Sequence, residues 1–180
     1  METFKLILHT NGDDKCLRNV VNYPIGKDQV LKEGFGIDPN NSHNAFRQFK
    51  SVAEFSDNQD KTPVFHYMTS YTEETAPTAE IAMELTKKIF EPLTKTHLTG
   101  IGIHEKLRDG CKYHGHTAMS PTDVKTGDML YADNKTNYGL AQRMADITEK
   151  PTQLVIRKED GTEWTCKQKF VPHDDEDDDE

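Results

Sequence analysis

Residues 98–119 read LTGIGIHEKLRDGCKYHGHTAM, two runs of strand-forming residues on either side of Arg108-Asp109-Gly110. Asp-Gly between such runs is a strong short-range hairpin signal, so the stretch predicts two adjacent antiparallel strands. Side chains two apart on a strand leave from the same face, which points His114 and His116 together. His104 joins them once the chain turns back at Asp-Gly. Three of the chain's eight histidines then converge from neighbouring strands. Such a trio reads as a metal site with open coordination positions, the arrangement of a catalytic rather than a purely structural ion. The ligand set is all nitrogen, and Mn²⁺, Zn²⁺, Ni²⁺ and Co²⁺ all suit it.

Working outward, Thr75 to Leu93 carries Ile81, Leu85 and Ile89 at steps of four, with Pro77 allowed in a first turn, and predicts the longest helix. Pro63 to Tyr71 is rich in aromatic and β-forming residues and reads as a strand. Ser42 to Phe55 spaces Ala45, Phe46, Phe49, Val52 and Ala53 at helical intervals, after a loop-like Gly34 to Asn41. At the start, Thr3 to His9 alternates as a short strand. Asp13 or Asp14 then caps a helix through Cys16, Leu17, Val20 and Val21 that ends before Pro24. Downstream, Asn134 to Ile147 predicts a helix, and Leu154 to Lys158 with Thr162 to Lys167 a hairpin around Asp160-Gly161. This order implies an α+β fold: one domain, with helices flanking a central antiparallel sheet and the histidines on its central part.

At 180 residues the chain is long enough for one full hydrophobic core and short for two. No window reaches the run of roughly 18 apolar residues that a membrane span needs, and the N-terminus lacks a basic and apolar leader, so a soluble, cytoplasmic protein is expected. Cys16, Cys111 and Cys166 are odd in number and form no CxxC pair, which excludes a disulfide framework and a cysteine metal site as readings. Removing the seven carboxylates of DDEDDDE at 174–180 takes the formal net charge from −9 to −2. The body is therefore nearly neutral. We expect a folded domain over 1–172 and a disordered, solvated acidic tail over 173–180.

Four stretches, CLRNVVNYPIGKDQ from Cys16, VFHYMTSYTEETAPTAEIA from Val64, HEKLRDGCKYHGH from His104 and TGDMLYAD from Thr126, together resemble the relaxases. These are the mobilisation nucleases of plasmids and integrative elements, within the HUH endonuclease group. The resemblance implies a tyrosine near the end of the first helix, where Tyr23 stands, and three metal ligands, His104, His114 and His116. It implies a divalent ion, Mn²⁺ or Mg²⁺ first, and site- and strand-specific nicking of single-stranded DNA at an origin of transfer. Tyr23 would attack a backbone phosphate, leaving a 5′-phosphotyrosine and a free 3′-hydroxyl that religate without ATP. Lys27, His66, Arg108 and Lys112 are the candidate DNA contacts, and accessory mobilisation proteins are candidate partners.

Alternatives stay open. Tyr67, Tyr71, Tyr113, Tyr131 and Tyr138 are the other tyrosines, with Tyr71 the main rival because its strand runs near the site. Relaxases usually carry a bulky hydrophobic residue between the last two histidines. This chain has Gly115, which weakens a strand and buries nothing. A rolling-circle replication initiator would use the same chemistry. A non-catalytic DNA-binding remnant would fit Gly115 and the acidic tail, and a cupin-like enzyme would share the HxH pair.

Overall fold

The computed structural model describes residues 1–9, 13–58 and 61–174. Its elements run β1 (Glu2–Ile7), α1 (Asp14–Asn22), β2 (Leu31–Phe35), α2 (Ser42–Phe55), β3 (Phe65–Thr72), α3 (Ala79–Thr94), β4 (Thr99–Arg108), β5 (Cys111–Met119), α4 (Asn134–Thr148), β6 (Thr152–Arg157) and β7 (Glu163–Thr165). Side-chain oxygens start the helices. Asp13 accepts from the Cys16 amide, Asn41 from Asn44, Thr78 from Ile81 and Asp133 from Thr136, satisfying N–H groups that have no partner inside a helix.

The α+β expectation holds, with a seven-stranded sheet in the order β2-β4-β5-β3-β1-β6-β7. The sheet is mixed rather than wholly antiparallel, because β1 and β6 pair in parallel. Hairpin-linked strands must be antiparallel, but α4 carries the chain away from β5 before β6 enters, which frees its direction. A second departure lies at residues 31–35. They form an edge strand on β4 even though Gly34 and Gly36 read as loop. Gly34 is required because a Cβ there would meet the Ile37 carbonyl oxygen at 2.3 Å. Pro77 precedes the Thr78 cap instead of lying in the first turn, and the proline inside α3 is Pro92. Its missing N–H would have bonded the Lys88 carbonyl. Arg143 of α4 supplies the donor instead, with Nε 3.1 Å and a terminal guanidinium nitrogen 2.7 Å from that oxygen.

The two faces of the sheet differ. One carries Phe4, Leu6, Tyr67, Ile101, Ile103, Met119 and Leu154 into the main core beneath α3 and α4. The other is covered by α1 and α2 at one end only, where Leu17, Val21, Phe46 and Phe49 pack with Leu98 and Ala118. The histidines lie on this partly open face. One sheet closed by helices excludes the cupin alternative, whose jelly roll needs two. His173, the first residue of the expected tail, is tied to Asp146 through its backbone N–H at 2.9 Å and its ring at 3.1 Å. Residues 175–180 lie outside the described residues. No helix among the described residues is long and apolar enough to cross a membrane.

Candidate active site

Register places the site. His104 sits directly opposite His114, and His116 lies two residues further along β5, opposite Met68 of β3. All three therefore leave the same face. Ser70 lies opposite His114 on β3, and His66 lies opposite Ala118, so both belong to this face as well. The rings form a chain: His9 Nε2 is 3.2 Å from His66 Nδ1, and His66 Nε2 is 3.4 Å from His116 Nδ1. His104 stands 5.9 Å from His116 between ring centroids. Burial, with the neighbouring imidazoles adding to it, pushes His66 and His116 down to about 3 and keeps both uncharged at neutral pH.

Tyr23 is the residue that ends α1. Its ring meets His116 edge-on with centroids 4.7 Å apart and lies 5.9 Å from His66, while 43 % of the residue stays exposed. The sheet allows this position through a glycine. A Cβ on Gly102 would fall 1.8 Å from the Pro24 carbonyl oxygen and 2.7 Å from its carbon. Only a bare α-carbon lets the Tyr23-Pro24 turn rest on β4. Gln29 holds the turn from the side by donating to the Tyr23 carbonyl at 3.2 Å.

A bulge shapes the other wall. Between Glu105 and Arg108 the β4–β5 register shifts, so that Lys106 and Leu107 face Lys112 alone. The shift turns the Lys106 carbonyl onto His114, whose Nε2 donates to it at 2.9 Å and to the Cys111 carbonyl at 3.2 Å. Since Nε2 carries the proton, Nδ1 accepts from the Ser70 hydroxyl at 2.9 Å. Tyr23, Met68, His104, Lys106, Arg108, His114 and His116 together enclose a small cavity of about 100 Å³.

The family model for the MobA/VirD2-like relaxase nuclease domain matches residues 23–153, from Tyr23 through all three histidines of the hairpin. The chain belongs to this relaxase family. No curated protein and no solved structure matches it.

Within this relaxase domain the other tyrosines stand apart from the histidines. Tyr71 is fully buried on the opposite face, 2.6 Å from the Thr86 hydroxyl, and burial raises its phenol to about 12. Tyr67 is buried on that face too, and its phenol is pushed up further by desolvation. Tyr113 stands opposite Tyr71 on the same side, Tyr138 packs on Phe170, and Tyr131 is exposed after β5. Gly115 has a physical reason. A Cβ there would meet the Thr69 hydroxyl at 2.5 Å and the Thr86 hydroxyl at 2.7 Å, because Thr69 and Thr86 fill the volume that a larger residue would take. The glycine therefore faces a packed core that leaves no room for a side chain.

Of the four candidate DNA contacts, Arg108 and His66 reach the histidine cluster and Tyr23, while Lys27 and Lys112 do not line the cavities there. Lys27 is exposed in the turn after Pro24. Lys112 is occupied by Glu105 at 3.6 Å and lies over the Tyr113 ring. His9 joins the site unforeseen. Its signal was the pairing of Ile7 with His66, which continues β1 past the end of β3, and pairing is invisible before the sheet is known.

The donor set fits a divalent ion in chemistry and facing: three imidazoles on one face, with burial holding the protonated form of His114 and His116 down. Among the described residues, however, no three His, Cys, Asp or Glu side chains stand in position to hold a metal. His114 is held by hydrogen bonds. Both its nitrogens are engaged, and its ring must leave either the two carbonyls or Ser70 to offer a lone pair.

Proposed function

We propose that the chain is a relaxase that nicks and rejoins one DNA strand through Tyr23, with His104, His114 and His116 as the ligands of a divalent ion. The observation that carries the reading is the Tyr23 ring set against His116 at the mouth of a cavity that Arg108 and Lys106 also line. Cations beside a tyrosine suit an anionic phosphodiester. The Tyr23 oxygen attacks phosphorus, the bond to the 3′-oxygen breaks, and the phosphate stays on Tyr23 at the 5′ end of the cut strand. The 3′-oxygen leaves as a hydroxyl. Reversal restores the strand, because the energy of the broken ester is retained in the phosphotyrosine. When bound, a divalent ion such as Mn²⁺ or Mg²⁺ would offset charge on a non-bridging phosphate oxygen and favour the phenolate.

The chain's own residues do the rest. His66 and His116, kept neutral by burial, pack beside the ring and add no charge there, so the phenol proton passes to solvent and an equivalent proton from solvent reaches the leaving 3′-oxygen. The bulge and Ser70 hold His114. The substrate would be single-stranded DNA at an origin of transfer, with accessory mobilisation proteins as partners in the cell.

The test is incubation with a pool of single-stranded DNA and Mn²⁺ or Mg²⁺, followed by a denaturing gel and mass spectrometry for a covalent adduct. An adduct on Tyr23, lost in Tyr23→Phe and in His114→Ala, is expected. A folded protein that binds DNA yet gives no adduct with any metal would instead be a non-catalytic DNA-binding member of the family.

A further inference from the structure

Tyr23 is a wall of two cavities. Besides the small one at the hairpin histidines, it lines a larger, open groove of about 500 Å³ with Lys15, Asn19 and Val20 of α1 and with His9 and His66. That volume falls in the range of small-molecule sites. A strand whose phosphate lies at Tyr23 continues in both directions, so a nucleotide beside that phosphate must occupy the groove side or be turned away from it.

The groove has a flat wall. His9 and His66 are parallel to 1° with centroids 5.4 Å apart, and Nε2 of one is 3.2 Å from Nδ1 of the other. Rings stacked face to face through so short an N···N contact would have closer centroids. These rings therefore lie edge to edge in nearly one plane, with His9 exposed at the groove and His66 buried behind it at 8 % exposure. The end of β1 and the start of β3 set this geometry, since Ile7 pairs with His66 and places His9 beyond it. Asn19 stands on the opposing helix with an amide that offers both a donor and an acceptor, the requirement for reading the edge of a base.

We propose that the His9–His66 platform seats the nucleobase next to the phosphate that Tyr23 attacks, stacked on the exposed His9 imidazole, which buried His66 holds in orientation, with its polar edge toward Asn19. This extends the reading of the site as a DNA-nicking centre and assigns the α1 groove as a base-selecting subsite. Stacking holds any base, and Asn19 distinguishes among them. Lys15 at the rim is placed for a flanking phosphate.

The experiment takes the tightest-binding strand from a random single-stranded DNA pool and makes a series carrying one abasic position each. Dissociation constants are measured without metal for the wild-type chain, His9→Leu and Asn19→Ala, with melting temperatures as a check on folding. One abasic position should weaken wild-type binding about tenfold, the size of a lost base–aromatic stack. His9→Leu should weaken the intact strand to a similar extent and leave that same abasic strand no weaker, since both changes remove one contact. Asn19→Ala should alter which base is preferred there without abolishing binding. If His9→Leu leaves affinity unchanged, or if its effect simply adds to that of every abasic position, the subsite is overturned. Adduct formation on Tyr23 is scored separately. Adduct without coupling overturns the platform alone, whereas coupling without adduct leaves the platform standing and overturns the nicking reading.

Discussion

Tyr71 and Tyr23 both sit beside histidine-bearing strands, and their environments separate them. Tyr71 donates one buried hydrogen bond to the Thr86 hydroxyl, which itself donates to the Ala82 carbonyl. Tyr71→Phe should cost about 1 kcal/mol of stability in denaturant titrations, the usual size for one such bond, and leave adduct formation unchanged. Gly102 acts on the other tyrosine. Gly102→Ala forces the Pro24 backbone off β4, because a carbonyl 1.8 Å away has no rotamer by which to yield. We expect a loss of adduct of tenfold or more, with the circular dichroism of a folded chain. Gly100→Ala is the matched control, since its Cβ would meet only the side-chain tips of Ile25 and Ile37 at 3.3 Å. Equal losses in both variants would show that Gly102 has no special hold on Tyr23.

Among the elements, the β4–β5 hairpin was legible because Asp109-Gly110 adopts the left-handed conformations such a turn needs, φ 52° and 79°. The bulge that aims the Lys106 carbonyl at His114 was not. A bulge depends on which residues of two strands oppose each other, and no residue type in Glu105 to Arg108 announces it. Helix α3 carries a related case. Pro92 leaves carbonyls to be satisfied from outside, and Arg143 of α4 bonds Lys88 and Ile89. Arg143→Leu should lower stability by about 1 kcal/mol, a modest figure because the site is partly wet. In a Pro92→Ala background the helix makes its own bond to Lys88, and the same substitution should cost visibly less. Urea unfolding of the four chains measures that difference.

For the whole molecule, burial of neutral imidazoles couples folding to pH. His66 and His116 titrate near 3 in the folded, metal-free chain and near the ordinary 6.5 once unfolded. Between those values the unfolded chain binds more protons, so stability is full above about pH 6.5 and falls as pH drops toward 3, by up to about 1.4 kcal/mol per pH unit for each histidine. Chelator-treated protein should show this slope in melting temperature against pH, and His66→Phe should make it shallower. An unchanged slope would mean that other groups govern the acid limb.

The sequence by itself determined the local and periodic features. Helical spacing from Ser42 to Phe55 marks α2, the Asp-Gly turn makes the hairpin, and the two-residue period puts His114 and His116 on one face. These depend on neighbours along the chain. Only the tertiary structure decided that residues 31–35 pair with β4, that β6 lies parallel to β1, and that Tyr23 comes to rest on Gly102. It likewise set His9 beside His66 and gave Gly115 its packed surroundings. Each of these is a contact between residues far apart in sequence, settled by which surfaces bury each other, and one residue's type carries no record of the partner it will meet.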